Sequence, residues 1–176
     1  MRSLQWTAEN SVYVPELDEE HQAMFRLTQE LRHAVVEGEA RERLKQKAQL
    51  LAEEVAGHLR HEERLMREAR YPHVDWHKRQ HNTIRNELTE LAESLRSGEQ
   101  AAILGSLEAI AKWMRDHTSV ADRMAGAYLR NYQRASAPQD SGAELRRPSS
   151  TSLTLRTSTS GRNGFCKNAA PERIIP

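Results

Sequence analysis

The chain has 176 residues, enough for one domain with a core, and its 29% charged and 5% aromatic residues suit a small helical bundle with long solvated faces. Net charge is +1, with 20 Lys/Arg against 22 Asp/Glu in residues 1–134 and 6 against 3 in residues 135–176, so neither part is basic enough to argue for nucleic acid. The lone Cys166 excludes an internal disulfide, the start has no signal-peptide run, and no stretch approaches the roughly 18 apolar residues of a membrane span, so the expectation is a soluble cytoplasmic protein.

Residues 1–17 read as an extended arm. Leu4, Trp6, Val12, Tyr13, Val14 and Leu17 are apolar without a helical period, and Pro15 blocks regular pairing. The arm is expected to pack over one end or side of the domain. A first helix is predicted to start at Asp18, a good N-cap with Glu19 and Glu20 behind it in the first turn, and to stop at Gly38. Its inner face runs through His21, Met24, Phe25, Thr28, Leu31 and Val35.

A second helix, from about Arg41 to Ala69, carries Leu44, Ala48, Leu51, Val55, His58, Glu62 and Leu65 in alternating steps of four and three. The stripe keeps its register where it changes from aliphatic to His and Glu. Tyr71–Pro72 ends the element. A third helix, from about Asp75 to Arg96, repeats the alternation through His77, His81, Ile84, Leu88, Leu91 and Leu95, and Ser97–Gly98 closes it. A fourth, from about Glu99 to Gln133, has Ile103, Leu107, Ile110, Met114, His117, Ala121, Met124 and Tyr128. Four helices with short links predict an all-α, antiparallel up-down-up-down four-helix bundle over residues 1–134. Residues 135–176 hold 11 Ser/Thr among 42 positions and no apolar period, and read as a disordered tail.

Residues four apart on a helix point the same way. His58 with Glu62, and His77 with His81, therefore project in pairs from core-facing stripes. His21 and His117 lie on stripes of their own. Buried carboxylates and imidazoles without partners are costly, and a metal resolves that cost by turning lone pairs into coordinate bonds. Asp122 fits less cleanly. It follows His117 by five residues and lies about 140° around an ideal helix from it. Either the helix bulges locally, or the carboxylate enters from the side of the seam.

The segments Leu17 to Gln22, His58 to Glu63, Tyr71–Pro72, His77 to His81 and Trp113 to Asp122 together resemble a hemerythrin. The early Trp6 and Tyr13 and the single-domain length are most similar to the bacterial single-domain form. The resemblance covers roughly residues 4–132 and not the tail. It implies a non-haem di-iron centre with an oxo or hydroxo bridge. His77, His81 and His117 would saturate one iron. His21 and His58 would hold the other with one place open, and Glu62 and Asp122 would bridge the pair. Dioxygen would bind at the open iron and leave unchanged.

The resemblance also implies an oxygen pocket of Met24, Phe25, Leu59, Trp113, Met114 and Thr118. The family usually has Phe at position 59 and Ile at 118. Both differences shrink the apolar wall, and the Thr118 hydroxyl is expected to make the pocket wetter. No Glu-x-x-His pair lies on the core-facing stripes, which argues for binding dioxygen over cleaving it.

Several positions are expected to be bland. His33, His61 and His73 lie off the stripes and are expected in solvent. Glu63 is assigned to the surface, with orientation of a ligand imidazole as the alternative. Gly57 either permits a close helix approach or is neutral. Met66, Leu65 and Tyr128 are expected in the core, and Arg41, Arg43, Lys45 and Lys47 on a solvated face.

The function implied is reversible dioxygen binding by a non-enzymatic, monomeric carrier, store or supplier to an oxygen-consuming enzyme. The alternatives are an oxygen or redox sensor and a di-iron enzyme acting on peroxide or nitric oxide.

Overall fold

The computed structural model describes residues 6–136. Leu4, Cys166 and the tail, apart from Ala135 and Ser136, lie outside the described residues. The arm contains one 3-10 turn, Ala8–Asn10. Helices α1 (Pro15–Val36), α2 (Arg41–Glu68), α3 (Val74–Ser97) and α4 (Gln100–His117) follow, then a π-helical turn (Thr118–Asp122) and α5 (Arg123–Ser136). The last three run as one broken rod, so the described residues form an antiparallel four-helix bundle without strands. Around the ring α1 packs on α2, α2 on α3, α3 on α4 and α4 on α1. No helix among the described residues is long and apolar enough to cross a membrane.

Helix α1 begins three residues earlier than predicted. Pro15 occupies the first helical position, where its fixed φ suits the helix and its missing N–H costs nothing. Asp18 does not cap the helix. Its carboxylate accepts hydrogen bonds from Ser11 Oγ (2.6 Å), Val12 N (2.8 Å) and Tyr13 N (3.1 Å). These bonds fold the arm back on the first turn, with Tyr13 at φ 59 and exposed.

The other ends follow the sequence reading. Gly38 (φ 71) and Gly98 (φ 79) sit in the left-handed region just beyond α1 and α3. Arg70 takes the same conformation (φ 57) after α2, and Tyr71 N donates to Met66 O (2.8 Å) to close that helix.

Leu31, Leu51, Ile84, Leu91, Leu107 and Ile110 are fully buried and fill the middle of the bundle. Each contributes about 1.5–3 kcal/mol by leaving water. The stripe predicted for the fourth helix holds to Ala121 and then shifts. Met124 is half exposed, while Ala125, Gly126 and Leu129 turn inward. The π turn adds a residue to its loop of the helix, so every later position is displaced by one. Leu65 and Tyr128 are only partly buried, whereas Met66 is fully so.

The arm packs on this displaced segment. Val12, Val14 and Leu17 cluster with Ala69 and Leu129, and Trp6 packs against the main core. Arg123 Nη2 donates to Glu9 O (3.0 Å), and Arg130 donates to Val12 O.

Candidate metal centre

The bundle's topology brings the donors to one level. His21 lies near the start of α1, His58 and Glu62 near the end of α2, His77 and His81 near the start of α3, and His117 at the end of α4. Successive helices run in opposite directions, so these four ends meet. Asp122 joins them because the π turn widens the helix there. Five residues then make about one turn, and the carboxylate returns to the face of His117. Of the two sequence-level alternatives for Asp122, the local bulge is the one found.

All seven side chains are buried; the most accessible, His117, is 6% exposed. Their donor atoms fall into two groups, each mutually within 4.8 Å: Glu62, His77, His81, His117 and Asp122, and His21, His58 and Asp122. His77 Nε2 lies 2.9 Å from Glu62 Oε2 and 3.1 Å from Asp122 Oδ1. His81 Nε2 is 3.2 Å from Glu62 Oε2, and His117 Nε2 is 2.9 Å from Asp122 Oδ1. On the other side, His21 Nε2 is 3.1 Å from His58 Nε2 and 3.2 Å from Asp122 Oδ2.

These separations suit a shared metal as well as hydrogen bonding. Ligand atoms about 2.1 Å from a common ion and at right angles stand about 3.0 Å apart. Despite their closeness, His81 Nε2, His117 Nε2, Glu62 Oε1 and both Asp122 oxygens have no aligned hydrogen-bond partner. The His77–Glu62 and His21–His58 contacts have hydrogen-bond geometry, and the atoms just named do not. Buried polar atoms left this way are costly, and a cation in each group satisfies them together.

The charge balance favours a cation too. Burial and the Asp122 charge push the Glu62 carboxyl up, but His77 and His81 outweigh both and hold it at about 2. Burial also pushes Asp122 up, and the His117, His21 and His77 imidazoles bring it well below its ordinary value. Burial favours neutral His77, yet Asp122 and Glu62 raise its pKa to about 10. Two anionic carboxylates in a dry interior hold protons on nearby imidazoles when no metal takes their place.

Two further carboxylates stand behind the donors. His58 Nδ1 lies 2.8 Å from Glu20 Oε2, whose other oxygen is 2.6 Å from His61 Nδ1. His81 Nδ1 lies 3.1 Å from Glu63 Oε1. Glu63 is therefore buried behind a donor imidazole and is not the surface residue expected from sequence. Its place in α2, one step from the stripe and facing α3, explains the difference. His61, expected in solvent, is three-quarters covered and held by Glu20. His33 and His73 are exposed as expected. The sequence marks Glu20 only as a first-turn acid. The available signal was its position beside His21 on the flank of α1 that meets α2.

The residues implied for an oxygen pocket are all at least partly buried. Met24, Phe25, Leu59 and Met114 belong to the main core, with Trp113 packed against it. The Trp113 ring stacks on His117 (centroids 4.2 Å apart, planes at 17°) and meets His81 edge-on at 6.5 Å. Thr118 is 1% exposed, but its hydroxyl is engaged. Oγ1 donates to Arg115 O (3.3 Å) and accepts from Asn10 Nδ2 (3.4 Å). Its donor thus goes to its own helix and one of its two acceptor lone pairs to the arm.

Residues 12–129 match the family model described as the hemerythrin HHE cation binding domain. Searches of curated proteins and of solved structures return no match. A match over more than half the chain, spanning the whole buried donor cluster, makes this protein a member of the hemerythrin family of HHE cation-binding domains.

Proposed function

We propose that the seven donors hold two iron ions and that the protein binds dioxygen reversibly, as a store or as a supplier to an oxygen-consuming enzyme. The observation that carries this reading is the division of the donors into two unequal groups sharing Asp122. His77, His81 and His117 give one ion three imidazoles. His21 and His58 give the other only two, which leaves it room for an exogenous ligand. Asp122 belongs to both groups, and Glu62, grouped with His77, His81 and His117, keeps a second carboxylate oxygen without a hydrogen-bond partner. Mostly imidazole ligation suits iron and leaves its lower oxidation state accessible. When bound, such a metal pair supplies two electrons to dioxygen and takes them back on release.

The surrounding residues support reversibility. Met24, Phe25, Leu59 and Met114 are buried in the apolar core, the donors themselves are buried, and the Thr118 hydroxyl donates within its own helix. Nothing in this reading requires catalysis, and carriage without turnover is the proposed role.

The test combines metal analysis with absorption spectroscopy of the full chain. The expected result is two iron atoms per chain and a visible band under air that bleaches on deoxygenation and returns. Steady consumption of peroxide or nitric oxide, without reversible uptake, would favour the enzymatic alternative. Far fewer than two metal atoms per chain, even after reconstitution, would overturn the proposal.

A further inference from the structure

An imidazole that offers Nε2 to a metal carries its proton on Nδ1, and the acceptor at Nδ1 fixes the tautomer and the ring's orientation. Where that acceptor is a carboxylate, its charge also raises the basicity of the ligating nitrogen. Glu20 stands in this relation to His58, and Glu63 to His81.

The two carboxylates differ in what else surrounds them. Glu63 Oε1 also takes a hydrogen bond from Arg85 Nη2 (3.0 Å), and Oε2 lies 3.7 Å from Arg67 Nη1 and 3.9 Å from Lys78 Nζ. Three cations thus surround one buried carboxylate. Glu20 has no such company. Among the described residues its ion-pair partners are the imidazoles of His58 and His61, and no lysine or arginine lies within ion-pair distance.

From this contrast the geometry assigns two positioning residues of unlike action: Glu63 holds His81 by position alone, whereas Glu20 acts through its charge, strengthening His58 as a ligand. This inference rests on the reading of His58 and His81 as metal ligands. The cations around Glu63 offset its charge and leave a geometric acceptor. The Glu20 carboxylate keeps its charge for the imidazoles it touches. The ion held by His21 and His58, which has fewer protein donors, is therefore the one whose affinity depends on the charge of a residue outside the donor set.

Glutamine separates the two actions, because it retains an acceptor oxygen of the same reach and removes the charge. Zinc is the probe, being redox-silent, and its affinity is measured by competition with a chromophoric chelator on the full chain. Glu20→Gln is expected to weaken the weaker of two zinc sites by ~10–100-fold. Glu63→Gln is expected to change both sites by less than about threefold, while Glu63→Ala weakens one by ~10-fold. A second readout is the Nδ1–H proton resonance of the zinc-loaded protein. That of His58 moves upfield in Glu20→Gln, and that of His81 keeps its position in Glu63→Gln and is lost in Glu63→Ala.

Glu20→Asp, retaining charge, restores most of the affinity and guards against a folding defect. Unchanged zinc affinity in Glu20→Gln, or equal losses in Glu20→Gln and Glu63→Gln, would overturn the assignment. A native chain that takes up no zinc at all would instead overturn the metal reading beneath it.

Discussion

Carboxylates packed against imidazoles give the metal-free protein a pH dependence of definite sign. Burial pushes the Glu63 carboxyl up, and hydrogen bonds with His81 and Arg85 outweigh it, leaving the folded value below the ordinary 4.5. Glu20 behaves alike, with His58 and His61 outweighing burial. A group lowered on folding contributes stability above its unfolded value and loses it as pH falls through the folded one. Glu62 and Asp122 add in the same direction. His77 has the opposite sign. Its contribution is complete below 6.5 and is lost as pH rises towards about 10. The urea midpoint of metal-free protein is therefore expected to peak between about pH 4.5 and about pH 6.5 and to fall on both sides. A midpoint flat from about pH 6 to about pH 3 would contradict the ion-pairing described here.

At the scale of elements, the π turn and the arm form one working unit. Asn10 reaches Thr118, Arg123 reaches Glu9 O and Arg130 reaches Val12 O, so the arm is tied to the helix on both sides of Asp122. Gly126 is where the two backbones come closest. A Cβ there would meet Val12 O at 2.6 Å and Val12 Cβ at 3.1 Å. Gly126→Ala must displace the arm, and the expected cost is about 1–3 kcal/mol in thermal or urea unfolding. Gly57, by contrast, has nothing within 4 Å of an added Cβ. The close-approach reading of Gly57 therefore fails, and Gly57→Ala should stabilise α2 by up to about 1 kcal/mol, as expected for a helix-interior glycine. If the two alanines shift the unfolding midpoint in the same direction, this account of the arm is wrong.

For the whole molecule, the bundle is an apolar core at one level and a buried polar cluster at another. The first holds itself together; the second leaves donor atoms unsatisfied. Anything that binds the folded cluster and not the unfolded chain adds stability by mass action. A metal at a hundredfold excess over its Kd contributes about 2.7 kcal/mol per site. Chelation is expected to lower the urea midpoint, and restoring metal to recover it, with helix content little changed because the apolar half persists. Identical unfolding curves with and without chelator would count against a metal at this cluster.

Much of this was legible in the chain itself. Steps of four and three mark four helices, and His21, His58, Glu62, His77, His81 and His117 sit in register with the apolar stripes, so their inward direction follows from local periodicity. Glycines at 38 and 98 mark two helix ends, because left-handed backbone is easiest for a residue without Cβ. What a helix does between neighbours is not local, and there the tertiary structure decided. Asp18 turned from cap to anchor because the arm folds back on it. Asp122 reached the cluster only through a π turn, and Met124 lost its inward place to the same extra residue. Glu20 and Glu63 lie one step off the stripes, and their role depends on which helix stands alongside. Periodicity specifies the face a residue takes on its own helix; the partner it meets there is set by packing between helices far apart in the chain.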